Sequence, residues 1–318
     1  MLVFHMREIR AMHHAMRCFL LVLGFTAQAL GGGLDSYRHL LVADSSQEPR
    51  NGVGVTYLGT NGYQFTFKGH SLLVDPYFSR VDLLSVATGS HIQPNAGRIS
   101  HGLRYLTPKL DAILVTHGHF DHLLDVPAIM SGTHARLIAS VSSVDLAKRA
   151  GASSGDPVKP GAVRRIGPWK IRVLQASHDR LFGKVPFNRS PLKTTAPQTP
   201  ADWICGEPLA FIIEANGQRI YIDSGGTPTQ LPPNESVDLA ILGMALPDSR
   251  ARLHAAIQRL RPRYILPSHQ DDFFRPLSAG FHFGLLSDFR FVQRECAADP
   301  QSRLILLDYF RPWTLPRR

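Results

Sequence analysis

The sequence predicts an α/β fold, on three observations. Apolar runs too short for helices, such as Ala112 to Val115, Val237 to Leu242 and Arg263 to Pro267, recur between Gly, Pro and Asn punctuation and read as buried strands. Helical patterns lie between them. Ser142 to Ala150 is capped and stops at Gly151, and Ser249 to Leu260 sets Leu253, Ile257 and Leu260 on one stripe. Several strands also run directly into His or Asp, and the strand-end edge is where α/β folds place their sites. With 318 residues, 44% of them hydrophobic, the chain is ample for one large domain, and its 26 glycines and 23 prolines make that domain rich in loops.

From the N-terminus, Arg7, Arg10 and Arg17 accompany an apolar run from Cys18 to Phe25, and Ala27-Gln-Ala29 has the small-x-small form of a cleavage site. Residues 1–29 therefore read as an export signal, giving a periplasmic or secreted product, with Met12 and Met16 as alternative starts. The apolar run is too short to span a bilayer, so no transmembrane span is expected in the mature chain. Residues 30–51 read as a linker and 52–318 as the folded domain. Without the signal, Cys205 and Cys296 are the remaining cysteines, and one disulfide or two buried thiols both stay open.

The domain begins with three strands, Val53 to Gly59, Tyr63 to Gly69 and Ser71 to Pro76. The alternation of Tyr63, Phe65 and Phe67 with Gln64, Thr66 and Lys68 gives the second its period of two. Residues 78–110 read as a loop with short helical pieces, over or beside a site. A helix is expected from Leu123 to Met130, a strand from Arg136 to Ser140, and a turn-rich connection over 155–167. Lys170 to Ala176 is a strand. Residues 181–203 follow as a proline-rich insertion, long enough to read as a functional lid. Leu209 to Glu214 and Arg219 to Asp223 form a hairpin about Asn216-Gly217, and Arg303 to Asp308 closes the chain as an edge strand.

The stretch 111–124 carries the chemistry. After the strand at Ala112, it delivers His117, His119, Asp121 and His122 within six positions, with Gly118 loosening the backbone between them. Imidazole and carboxylate suit zinc, and also iron or manganese. A lone His178 or His269 is more often an ordinary polar histidine. Each, however, ends a strand, as Asp223 does before Ser224-Gly-Gly226, and a rigid sheet holds strand-end ligands with small positional error. Asp75 ends the third strand with its carboxylate placed where the strand leaves the sheet, and alone it reads as a turn residue capping backbone amides.

Thr116-His-Gly-His-Phe-Asp-His122 resembles the Thr-His-x-His-x-Asp-His signature of the metallo-β-lactamase superfamily. The order Asp75, His117 to His122, His178, Asp223, His269 is similar to its five motifs, over roughly residues 52–275. The strands leading into Leu-Val-Asp-Pro-Tyr resemble the branch of ascorbate-phosphate lactonases and N-acyl-phosphatidylethanolamine phospholipase D-type enzymes. That branch often carries Gly-His where this chain has Gly59-Thr60. The resemblance implies a four-layer αββα sandwich with two divalent metal ions, foremost Zn2+, at one edge. It implies His117, His119 and His178 on the first ion, Asp121, His122 and His269 on the second, Asp223 bridging both, and Asp75 orienting the cluster from behind.

What the resemblance implies chemically is a metal-dependent hydrolase in which a metal-bridging hydroxide, oriented by the catalytic Asp121, cleaves an ester, lactone or phosphodiester. The substrate is then a small molecule or a lipid. His119 stands where di-iron relatives that reduce oxygen carry a carboxylate, which favours hydrolysis. Three alternatives stay open: a lipid phosphodiesterase, with Phe182, Val185 and Phe187 meeting an acyl chain; a single-iron dioxygenase; and a metal-binding protein without turnover. The formal charge of +10 is scattered, with no run of Lys or Arg longer than two, and with the export signal this argues against nucleic acid.

Overall fold

In the computed structural model, residues 33–43, 52–188, 195–225, 235–246 and 249–317 are described; the export-signal reading of 1–29 lies outside them. Two seven-stranded sheets face each other. The first contains β1 (Val53–Gly59), β2 (Gly62–Phe67), β3 (His70–Val74), β4 (Leu110–Leu114), β5 (Arg136–Ala139), β6 (Asp156–Pro157) and β14 (Pro312–Leu315), in the order β14-β1-β2-β3-β4-β5-β6. The second contains β7 (Val163–Ile166), β8 (Trp169–Gln175), β9 (Leu209–Ala215), β10 (Gln218–Ile222), β11 (Leu239–Gly243), β12 (Tyr264–Ser268) and β13 (Arg303–Leu304), in the order β13-β12-β11-β10-β9-β8-β7. Strands β3, β4 and β5 run parallel, as do β10, β11 and β12, so each trio ends at one edge.

The two-residue period of a strand divides the core. Leu72 and Val74, Ala112 and Leu114, and Ile138 point between the sheets, where they meet Ile171, Val173, Phe211 and Ile213. Their neighbours Leu73, Ile113 and Leu137 point outwards into a second cluster with Phe120, Ile129, Val144 and Leu146. Those outer residues belong to α3 (Phe120–Leu123), α4 (Val126–Thr133) and α5 (Val141–Arg149). On the other side, α6 (Ser249–Leu260) and α7 (Phe289–Ala297) cover the second sheet with Leu253, Ile257, Leu260, Val292 and Cys296. Helix, sheet, sheet, helix is the four-layer α/β sandwich expected. Each fully buried Leu, Ile, Val or Phe contributes about 1.5–3 kcal/mol. Polar clamps fix the two sheets in register. Tyr63 Oη donates to Ser268 Oγ (3.1 Å), Trp169 Nε1 to Asp111 (3.0 Å), and the Val53 amide to Gln218 Oε1 (2.9 Å).

Several boundaries differ from the sequence reading, each for a local reason. The helix expected over 123–130 is two, because the Asp125 carboxylate is drawn aside to accept from the Phe78 and Ser79 amides and Pro127 opens a fresh helix. Ser140, not Ser142, caps α5 by accepting from the Ser143 amide. The connection 155–167 contains two edge strands, β6 and β7. Within the segment read as a linker, residues 34–40 form a 3-10 helix, Leu34 is buried in the core and Leu41 bridges to Leu306. In the loop 78–110, α1 (Leu83–Thr88) and α2 (Ala96–Leu103) are the short helical pieces expected. Cys205 and Cys296 are both buried free thiols.

Candidate metal centre

All the strand-end residues arrive at one edge. His117 follows β4, His178 follows β8, Asp223 and Ser224 follow β10, and His269 follows β12. The first turn after β4 is tight. The Gly118 amide donates to the Cys205 carbonyl (3.0 Å), and a Cβ at Gly118 would come within 2.3 Å of the Ile204 carbonyl oxygen, so glycine alone fits there. His119 then serves as N-cap of α3, which carries Asp121 and His122 back across the site. His269 holds a left-handed φ of +57° with its amide donating to the Thr60 carbonyl (2.7 Å). Strained backbone of this kind clusters at functional sites.

Two groups of three ligands result: His117, His119 and His178, and Asp121, His122 and His269. The hydrogen bonds behind the first group fix its tautomers. His119 Nε2–H donates to the Pro186 carbonyl (2.9 Å), because a carbonyl can only accept, and its Nδ1 is left as a bare lone pair. Thr116 Oγ1 donates to Asp75 Oδ2 (2.6 Å) and so accepts from His117 Nδ1–H (3.1 Å), which leaves His117 Nε2 bare. His178 Nδ1–H donates to the Asp179 carbonyl (2.6 Å), which bares its Nε2 as well. His117 Nε2 and His119 Nδ1 nevertheless lie 2.9 Å apart. Two lone pairs at that distance repel unless a cation lies between them. Burial disfavours a charge-bearing proton there. Burial, reinforced by the neighbouring imidazoles, holds His117 and His119 well below the ordinary histidine range, and burial pulls His178 down to about 4.

In the second group, His122 Nδ1–H donates to Asp75 Oδ2 (2.9 Å), and its Nε2 faces Asp121 Oδ2 (3.3 Å). His269 Nε2 meets the same oxygen at 3.0 Å. Burial opposes a charge on His122, but Asp121 and Asp75 outweigh it and raise its pKa to about 10. The two carboxylates thus favour a proton on this ring, and His122 in turn is the main group that holds the Asp121 carboxyl well below the usual range against its burial. A metal ion would take the place of that proton. Asp75, expected to orient the cluster, stands behind Thr116 and His122. It accepts from the Thr116 amide (2.8 Å), Thr116 Oγ1, Asn61 Nδ2 (2.8 Å) and His122.

Asp223 departs from its expected role as the bridge. Its Oδ1 accepts from the Gly225 (3.2 Å) and Gly243 (3.0 Å) amides, its Oδ2 from Tyr221 Oη (2.8 Å), and Arg252 stands 3.6 Å away, so it belongs to neither ligand group. The neighbouring Ser224 places its Oγ 3.4 Å from His122 Nε2 instead. Sequence reasoning also missed the Pro186 carbonyl, which no side-chain pattern signals, and Arg252, which looks like an ordinary helix residue. It missed Asp271 too, which anchors the loop after His269 by accepting from Tyr57 Oη, the Thr60 amide and Tyr309 Oη while paired with the buried Arg80. Thr60, where the resembling branch carries His, sits in that same anchor.

The donor set fits metal: five imidazoles and one carboxylate, with outer hydrogen bonds that preset the rings. Comparison with known proteins agrees. The beta-lactamase superfamily domain family matches residues 70–269. A UPF0173 metal-dependent hydrolase of Desulforamulus reducens is 25% identical over 221 residues, 68% of this chain and 83% of that protein. Igni18, a metallo hydrolase from the archaeon Ignicoccus hospitalis, superposes with a TM-score of 0.56 at 17% identity, over 84% of this chain and 99% of its own. CmlA, a diiron beta-hydroxylase from Streptomyces venezuelae, also superposes, with a TM-score of 0.52 at 12% identity over 85% of this chain and 55% of that one, so the fold by itself does not select the reaction. By its matched segment, its four layers and its paired ligand groups, the chain belongs to the metallo-β-lactamase superfamily, as a metal-dependent hydrolase.

Proposed function

We propose that the protein is a zinc-dependent hydrolase of an ester, lactone or phosphodiester, that it holds two ions, and that it works after export. The observation that carries the reading is the convergence of bare imidazole nitrogens, His117 Nε2 on His119 Nδ1 at 2.9 Å, beside a carboxylate-containing second group. Divalent ions bound there supply a Lewis acid and lower the pKa of a water molecule towards neutrality. The chain's own residues do the rest. His117, His119 and His178 hold one position, and Asp121, His122 and His269 the other. The carboxylate of Asp121 would orient an attacking water by accepting a hydrogen bond from it. His119 in place of a carboxylate supports hydrolysis over oxygen chemistry.

Phe187 lies edge-on to His119 (6.0 Å between ring centroids) and Phe273 edge-on to His269 (4.9 Å), one aromatic ring beside each ligand group. This flank supports a substrate that carries an apolar group next to the scissile bond. A second reading, a phospholipase D-type lipid phosphodiesterase, is favoured by Phe182, 71% exposed on the turn that opens the insertion. Hydrolysis of micellar phospholipid without hydrolysis of soluble esters supports the second reading, and the reverse supports the first. For both, stripping with chelator should abolish hydrolysis and zinc should restore it; full activity in the stripped protein would overturn the proposal.

A further inference from the structure

At the end of β10 it is the Ser224 hydroxyl, 3.4 Å from His122 Nε2, and not the Asp223 carboxylate that reaches the ligand groups. Asp223 is fully buried, and both its oxygens are committed elsewhere, to the Gly225 and Gly243 amides and to Tyr221 Oη. Arg252 ties the same corner together. Its Nε and Nη2 donate to the two oxygens of Asp179 (2.9 and 3.1 Å), its Nη2 also to the Gly243 carbonyl, and Nη1 stands 3.6 Å from Asp223. The Asp179 amide in turn donates to the Gly225 carbonyl (2.8 Å), which links the loop of His178 to the turn of Ser224. The corner has no room to re-form. A Cβ on Gly243 would meet the Gly225 nitrogen at 2.5 Å, and Gly225 holds a φ of +97° against Asp179. Swinging Asp223 towards the ligands would leave two buried amides without acceptors and a buried guanidinium short of a carboxylate.

We propose that this centre holds its two metal positions without a bridging carboxylate, that Asp223 is a positioning residue for the β10 turn, and that the second ion to enter binds more weakly than the first. The inference rests on the metal-centre reading above. The six ligands carry one formal negative charge, on Asp121, against two dications held side by side. A bridging carboxylate would double that compensation, whereas the Ser224 hydroxyl adds none and is a poor zinc ligand. The two ions therefore repel with less offset than a carboxylate-bridged pair, and occupancy becomes graded with metal concentration.

The test is a metal titration of the chelator-stripped full chain with Zn2+, following bound metal per chain and the stepwise dissociation constants by competition with a chromophoric chelator. The expected result is two steps separated by about tenfold or more, with Asp223→Asn changing neither by more than about threefold and Ser224→Asp tightening the second by about tenfold or more. Loss of one bound ion in Asp223→Asn, or a Ser224→Asp variant that binds the second ion no more tightly, overturns the proposal. Should Asp223→Asn fail to fold, a crystal structure of the zinc-loaded wild type decides. Asp223 still on the Gly225 and Gly243 amides supports it, and an Asp223 oxygen about 2.0–2.2 Å from zinc overturns it. A protein that binds no zinc at all sinks the metal-centre reading, and this inference with it.

Discussion

His119 is held by the nitrogen that faces away from the cluster, so its tautomer is set before any ion arrives. The same arrangement recurs at His117, His178 and His122, each with a fixed acceptor behind its other nitrogen. Removing one ligand should therefore cost far more than removing one of the acceptors. His117→Ala is expected to lose metal from the first group and nearly all hydrolysis while keeping its circular dichroism. Asp75→Asn should keep the ligands but weaken metal binding by about 10–100-fold, read by chelator competition. The two thiols behave in the opposite sense. Burial first, then nearby carboxylates, raise Cys205 and Cys296 to about 12, so both should resist a thiol reagent in the native protein and react once it is unfolded. Prompt labelling of either in native buffer would contradict their placement.

Elements decide how accurately those residues arrive. Gly118 turns the chain between β4 and α3 against the Ile204 carbonyl, so Gly118→Ala should displace His117 and His119 together and lower bound metal per chain, measured by metal analysis of folded protein. The Asn216-Gly217 hairpin, with φ of +54° and +76°, was legible from its dipeptide alone, because those backbone angles admit few other residues. The six residues that the structure gathers into two groups were legible for a related reason: their density after β4 and their place at strand ends leave little room for an ordinary packing role. Asp223 lies apart from both groups while its neighbour Ser224 faces His122, because one step along an extended segment turns a side chain to the opposite face. No spacing rule tells which of two adjacent residues faces the edge. β14 and the Arg80–Asp271 anchor were invisible because long-range pairing defines them, whereas α7 did carry a local signal, the Asp288 N-cap ahead of the stripe Phe289, Val292 and Cys296, that was not read.

At the scale of the whole molecule, the centre couples metal to stability. Burial lowers the His178 pKa to about 4, below the ordinary histidine value, so the unfolded chain binds more protons and metal-free stability falls as pH drops from about 6.5 towards 4. His122, raised to about 10, acts in the reverse direction. The folded state binds the extra proton, and the stability it contributes is lost as pH rises from about 6.5 through 10. The stripped protein should show its highest Tm between those limbs. Zinc should flatten the alkaline limb by replacing the His122 proton, and should raise Tm wherever it binds the native state more tightly than the unfolded chain. Calorimetry from pH 4 to pH 10, with and without zinc, reads both effects, and identical profiles would contradict the coupling. Among the described residues no helix is long and apolar enough to cross a membrane.

Metal-dependent hydrolysis at the paired groups is read out most directly by metal analysis of the purified protein joined to a panel of ester, lactone and phosphodiester substrates. Hydrolysis of at least one class is expected, lost on chelation, restored by zinc, and absent in a folded His117→Ala variant. Hydrolysis that survives both chelation and His117→Ala, or bound zinc with no turnover across the panel, would contradict it.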